Sequence, residues 1–223
     1  MIGKLLLMSG IIPVIVSVFA RKFFCDRTLR RHGDVTVAIT GKEFAEAILR
    51  QGKVTGVEIE EKRRPFLPIG PERLVISPSI CKSKKARDVA AAGLLAGLVL
   101  MARRQKKVVS WRAWAVKFGW AMPSFSVVIV TFATVATSLL PSMAIGIVLG
   151  ILGFAALALW FTLPVEREAA KTVAHFLDDT AIVNRRSEAE VLSELVSALA
   201  WQRLVPGCVE WLVPKAKPKD VSP

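Results

Sequence analysis

Two histidines, His32 and His175, are all that this 223-residue chain holds, and that bounds the chemistry open to it. A zinc ion is held by His, Cys, Asp or Glu, and two ligands on one helical face must stand three or four residues apart. His175 has Asp178 and Asp179 at such spacing, while Glu166 and Glu168 lie further upstream. Glu166 is nine residues away, more than two helical turns. His32 stands in a basic stretch without a ligand at helical spacing, so both histidines are expected on a solvated surface. Cys25, Cys81 and Cys208 are widely separated and odd in number, with no C-x-x-C pair, and are expected as free thiols. There is no G-x-S-x-G, no P-loop and no supported Cys/His pairing. The expectation is therefore no catalytic set, no metal and no cofactor.

The elements that must carry these residues are dominated by Phe118 to Val165, 48 residues without Asp, Glu, Lys or Arg. A hydrocarbon core of ~30 Å needs about 20 apolar residues per helix, so the block holds two spans. Leu139-Leu140-Pro141-Ser142 supplies the turn, because proline cannot continue a helix. The spans are read as Phe118 to Leu140 and Ser142 to Leu163. A third apolar run, Leu5 to Ala20, is flanked by Lys4 and Arg21-Lys22. Val18-Phe19-Ala20 has the spacing of a signal cleavage site. The basic cluster that follows (Arg21, Lys22, Arg27, Arg30, Arg31) holds the downstream side in the cytoplasm and favours an uncleaved anchor. The alternative, one buried helical hairpin in a large soluble core, is disfavoured by a mean hydropathy of +0.48, which leaves too little polar surface to cover it.

Charge orients these spans. Residues 21–117 carry 22 Lys+Arg against 9 Asp+Glu, residues 166–223 carry 8 against 9, and Lys4 supplies the rest of the net +13. The positive-inside bias then predicts an external N-terminus and Pro141 turn, with 21–117 and 166–223 cytoplasmic. Anionic lipid headgroups account for the basic excess. Nucleic acid does not, because the charges lack interleaved aromatics and no recognition motif is present.

Between the apolar runs the local signals are short. Thr40-Gly41-Lys42-Glu43 is a capping box opening a helix with Phe44, Ala45, Ile48 and Leu49 on one face and Gly52 at its end. Val57 and Ile59, then Leu74-Val75-Ile76 closed by Ser77-Pro78, predict two strands of a helix-plus-hairpin unit, with a Pro-rich loop over Lys62 to Arg73. Val89 to Ala102 is apolar on every side and too short to span, so it is expected to be buried against the other helices or to dip into the membrane interface. Its Gly93 and Gly97 have the small-xxx-small spacing that lets helices approach closely. Arg103 to Lys117 forms a basic collar, with Trp111, Trp114 and Trp120 as interfacial anchors. A helix runs from Glu166 to Leu177, and Ser187-Glu188-Ala189-Glu190 is a second capping box for a partly embedded helix reaching Leu204. Val191, Leu192, Leu195, Val196, Leu199 and Trp201 are its apolar face, and a fourth span there stays open. The Pro/Lys-rich tail Pro214 to Pro223 has no composition for a packed structure.

In this order the pieces resemble the neutral zinc metallopeptidase family of bacterial membranes. The resemblance rests on Thr40-Gly41-x-Glu43 with Ala45, Ile48 and Leu49, on Arg73-Leu74-Val75-Ile76-Ser77, and most sharply on Leu163-Pro164-Val165-Glu166 with Ala169-Ala170-Lys171. It implies a zinc-binding H-E-x-x-H on the helix at Val89 to Ala102. Alignment from Asp88-Val89-Ala90-Ala91 puts Ala92 and Ala96 at the histidine positions and Gly93 at the catalytic glutamate. The loop Pro65-Phe66-Leu67-Pro68-Ile69-Gly70-Pro71 departs from the family's Asp/His-containing stretch. Glu166 matches a carboxylate that the resemblance makes a third ligand, and it is left an orphan.

These observations predict a mainly α membrane protein with an N-terminal anchor helix, a small cytoplasmic α+β unit, a transmembrane helical hairpin and a C-terminal amphipathic helix. The divisions are 1–22 for the anchor, 23–117 for the basic metallopeptidase-like region, 118–165 for the hairpin, and 166–223 for the helical region and tail. The function expected is that of a catalytically inactive member, a structural or accessory subunit packing against other integral proteins of a bacterial plasma membrane. The glycines Gly146, Gly150 and Gly153 are expected to offer a packing face. The alternative is a membrane-bound zinc hydrolase with a relocated site using Glu166, Glu168, His175 and Asp178 or Asp179. A transporter or channel is disfavoured, because the hairpin carries no ionisable residue to line a path.

Overall fold

A computed structural model describes residues 2–62, 72–137, 140–179, 182–183 and 185–210. Among them the order is α1 (Ile2–Arg21), a π-turn (Lys22–Asp26), α2 (Arg27–His32), α3 (Gly41–Gln51), β1 (Glu58–Glu61), β2 (Arg73–Ile76), α4 (Pro78–Lys82), α5 (Ala86–Arg104), α6 (Lys106–Ala136), α7 (Pro141–Trp160), α8 (Leu163–Asp179), α9 (Arg186–Leu199) and a 3-10 turn (Gln202–Leu204). The chain is mainly helical with one small sheet, as predicted. Three helical stretches are long and apolar enough to cross a membrane: Met8–His32, Lys106–Ala136 and Pro141–Asp179. The chain divides into two units, one of Met1–Lys22, Trp111–Leu163 and Arg203–Pro214, the other of Phe23–Ser110, Pro164–Gln202 and Lys215–Pro223.

In the first unit α1 lies along α7, and small residues set how closely. A Cβ on Gly153 would stand 2.5 Å from the Gly10 Cα and 2.7 Å from the Ser9 carbonyl oxygen, and one on Gly10 would overlap the Leu149 carbonyl. Pro13 has no N–H to give the Ser9 carbonyl one turn back. One turn on, Ser17 Oγ donates to the Pro13 carbonyl at 2.8 Å and accepts from Trp160 Nε1 at 2.8 Å. Of the three α7 glycines expected to offer a packing face, Gly153 thus meets the chain's own N-terminal helix, as does the Leu149–Gly150 backbone.

Two boundaries of the hairpin differ from expectation. The basic collar is divided, with Arg103 and Arg104 ending α5, while from Lys106 on it is one helix with the first apolar run, α6, which ends at Ala136 and not at Leu140. Helix α7 begins on Pro141 itself, since proline at the first helical position loses no hydrogen bond and Leu140 before it is extended. Of the predicted turn, Leu139 lies outside the described residues.

The second unit is built around α5, whose residues Val89 to Ala102 are almost all buried, as an all-round apolar helix requires. Helix α3 packs on it through Phe44, Ala45, Ile48 and Leu49. Its capping box forms: Glu43 N–H donates to Thr40 Oγ1 at 3.4 Å and Thr40 N–H to Glu43 Oε2 at 2.9 Å. The helix closes with Val54 N–H on the Leu49 carbonyl and Lys53 N–H on that of Arg50, the paired bonds of a Schellman end. The left-handed residue is Lys53, at φ 53°, and not Gly52. Position 52 is glycine for another reason, since a Cβ there would meet Leu100 Cδ2 of α5 at 2.5 Å.

The strands do not form the predicted hairpin. β1 and β2 pair in parallel, Glu58 opposite Arg73 and Glu61 opposite Ile76. A connection of eleven residues, Lys62 to Glu72, is long enough to carry the chain back to the start of β1. Ser77-Pro78, read as a strand end, starts α4 with proline in its first turn. Residues 63–71, with the Pro65 to Pro71 stretch, lie outside the described residues, as does the tail Pro214 to Pro223.

The second capping box is absent. α9 starts at Arg186 with no side-chain cap, so Ser187 is inside the helix. Glu188 instead accepts from the Ala38 N–H at 3.1 Å. Helix α9 ends at Leu199 and buries Leu192, Leu195, Val196 and Leu199 in the unit's core. At 14 residues, about 21 Å, it is too short for a fourth span.

Candidate functional site

The stretch singled out by the sequence is the middle of α5. Ala92 and Ala96 are four residues apart and so share a helical face, and both are fully buried. Gly93 faces α3, where the ring of Phe44 fills the space a side chain would use. A Cβ on Gly93 would overlap Phe44 Cε1 and stand 2.9 Å from Cδ1 and 3.3 Å from Cζ. Gly41, behind the Thr40 cap, brings the α3 backbone close as well: a Cβ placed there would be 3.4 Å from Ala92 Cβ. Gly97 meets α8 in the same way, with Val173 Cγ2 at 2.8 Å and the Ala169 carbonyl oxygen at 2.9 Å from such a Cβ. The small-xxx-small pair of α5 therefore serves packing inside the unit.

Glu166 opens α8 and is 2 % exposed. The other members of the alternative site stand elsewhere on that helix. Glu168, His175 and Asp179 have side chains 57 %, 68 % and 56 % exposed. Nine residues at 100° each place His175 half a turn from Glu166, on the opposite face. His175 Nε2 pairs with Asp179 Oδ2 at 3.1 Å, an ordinary surface contact one turn apart. Among the described residues no three His, Cys, Asp or Glu side chains come together in a way that could hold a metal ion.

The remaining candidates are not gathered either. His32 is half-buried rather than solvated, with Nε2 3.3 Å from Glu194 Oε2. Cys25 and Cys81 are buried, Cys208 is half-buried, and none is in a disulfide. Burial, reinforced by Glu61, pushes the Cys81 thiol up, and burial does the same to Cys208. Both are kept as thiols, the form that is poor as nucleophile and as ligand.

What the sequence did not reveal is the part played by Phe44, which read as one apolar residue of a helical face. The signal available was indirect: a glycine at the centre of a buried helix has to be facing something bulky.

A family model described as "Putative neutral zinc metallopeptidase" matches residues 7–204. No curated protein and no solved structure matches the chain.

Proposed function

The chain belongs to the putative neutral zinc metallopeptidase family, and from that premise we propose that it is a member without peptidase activity, a structural or accessory subunit of a larger membrane assembly. The observation that carries the reading is Gly93 under the Phe44 ring. Zinc, which the family's name implies, does not fit the residues present. The described part of the chain offers no set of three donors, and the α5 positions given by the resemblance, Ala92, Gly93 and Ala96, hold no ligating atom. Nor is there room at 93 for a glutamate while Phe44 keeps its place.

In this reading the three apolar stretches cross a bacterial plasma membrane, with the basic region 23–117 and the region 166–223 on its cytoplasmic side. The charge asymmetry supports that orientation, and anionic headgroups are its electrostatic partners. Because Gly93 and Gly97 of α5 and Gly153 of α7 are engaged within the chain, lipid and neighbouring proteins are met by the outward face of α6. That face includes Phe125, Val128, Phe132 and Val135, which are 64–84 % exposed.

Two measurements test this reading. Purified full-length protein is assayed on unstructured peptides with and without chelator, beside Glu166→Ala. No hydrolysis above background is expected, and chelator-sensitive cleavage lost in Glu166→Ala would overturn the inactive reading. Extraction in mild detergent with identification of co-purifying chains tests the assembly. Stoichiometric integral membrane partners are expected, and a monodisperse single chain from native membranes would overturn the subunit role.

A further inference from the structure

Helix α3 and strand β1 are joined by residues 53–57 and leave between them a groove of about 440 Å³. Lys42, at the start of α3, reaches Glu61, at the end of β1, at 3.6 Å. Arg50 and Lys53 stand at the other end of the groove, where the chain turns into β1. The helix therefore runs antiparallel to the strand. Leu49, Val54, Val57 and Ile59 give the groove apolar walls.

Strand β1 also offers an unpaired edge. Glu58 N–H bonds the Glu72 carbonyl and Lys62 N–H that of Ile76, so the main-chain groups of the even-numbered residues face β2. Those of Ile59 and Glu61 point the opposite way, because successive residues of a strand alternate. The sheet has two strands, and among the described residues no backbone group bonds to that outer edge. A row of open donors and acceptors of this kind is a template for an added strand.

Charge sets the direction and the end of that strand. Lys42 is engaged by Glu61, whereas Arg50 and Lys53 have no ion-pair partner among the described residues. The turn beside them is fixed: Gly56 is left-handed at φ 77°, and Arg103 Nη2 donates to the Thr55 carbonyl at 2.9 Å. The N–H groups of Thr55, Gly56 and Val57 bond nothing among the described residues. Consecutive open N–H groups beside cations favour an anion. Glu46, midway along the groove, disfavours further negative charge there, so one terminal carboxylate fits better than an acidic segment. A strand lying antiparallel to β1 brings its C-terminus to this end. The tail of this chain, with Lys215, Lys217 and Lys219, carries the wrong charge for it. We propose that the groove captures the free C-terminus of another protein, added as a strand antiparallel to β1, its last side chain apolar and its carboxylate at Arg50, Lys53 and the 55–57 turn. The proposal requires neither the loss of peptidase chemistry nor the subunit role.

The test uses the full chain in mild detergent and an array of synthetic decapeptides ending in Val, Leu, Ile or Phe, each made with a free and with an amidated C-terminus. Binding is measured by fluorescence anisotropy. Free-acid peptides are expected to bind, and amidation to weaken them roughly 10-fold through lost charge-assisted hydrogen bonds. Arg50→Gln/Lys53→Gln, at two exposed positions, should cost a similar factor. N-methylation of alternate peptide amides should abolish binding in one register and spare it in the other, as strand addition requires. Absence of binders, indifference to amidation or to the double substitution, or the same response to both N-methyl registers overturns the proposal. So does equal binding of internally acidic, amidated peptides, which would make the occupant an acidic segment. Self-association lost in the double variant would make it a second copy, and overturns the proposal as well.

Discussion

Replacing Gly93 by alanine separates two physical accounts of α5 by the sign of the effect. On backbone grounds alone Gly→Ala inside a helix stabilises by about 0.5–1 kcal/mol, because glycine loses more freedom on folding. The structure reverses that expectation. The new methyl would stand 2.9 Å from Phe44 Cδ1 and closer still to Cε1, against ~3.5–4.0 Å for a comfortable carbon–carbon contact. Phe44 is fully buried, so its ring can shift only by displacing other core side chains. Overpacking of this kind costs about 1–3 kcal/mol, so Gly93→Ala should be net destabilising by about 1–2 kcal/mol. In a unit of this size that lowers the melting temperature by several degrees. Thermal unfolding of the full chain in mild detergent, followed by circular dichroism, reads the change. Phe44→Leu should cost stability in the parent but much less beside Gly93→Ala, with a coupling of about 1 kcal/mol in the double-mutant cycle. A Gly93→Ala protein as stable as the parent or more so, with additive Phe44→Leu, would refute the packing argument.

Other outcomes follow from the same contacts. Gly153→Val should part α1 from α7, so that disulfide cross-linking of cysteine pairs placed along the two helices drops sharply; undiminished cross-linking would show that the close approach is not needed. Lys53→Gly should stabilise by about 1 kcal/mol, since glycine adopts the left-handed conformation without penalty, whereas Gly52→Ala should destabilise through Leu100. Matching signs for the two changes in a melting experiment would contradict the assignment. The Glu43 carboxyl is held below its ordinary value of 4.5 by the N–H and hydroxyl of Thr40. A depressed folded-state value means the contribution is complete above the unfolded value and is lost as pH falls through the folded one. The stability difference between parent and Thr40→Ala should therefore be largest near neutrality and shrink in acid; a pH-independent difference would discount the carboxylate's share.

Legibility followed the range of the interactions. The Thr40 cap and the burial of α5 depend on residues within a few positions of each other, and both formed as predicted. Strand direction did not follow, because the alternation at Val57 and Ile59 is the same for parallel and antiparallel pairing. Ser187 to Glu190 matched a capping box, yet Glu188 answered to Ala38, 150 residues away. The small-residue spacings in α5 and α7 were legible as packing signals but silent about the partner, which proved to be Phe44, α8 and α1. In the candidate site, the small residues Ala92, Gly93 and Ala96 could be read directly. The ring that lies over Gly93 could not, since only the fold brings position 44 to position 93.

The central claim, that the family's zinc position has become packed core in this chain, is met most directly by metal stoichiometry. Full-length protein expressed in zinc-supplemented medium, purified without chelator and measured by atomic emission, is predicted to carry zinc far below one ion per chain, with Glu166→Ala no different. One zinc ion per chain, lost on Glu166→Ala, would contradict it.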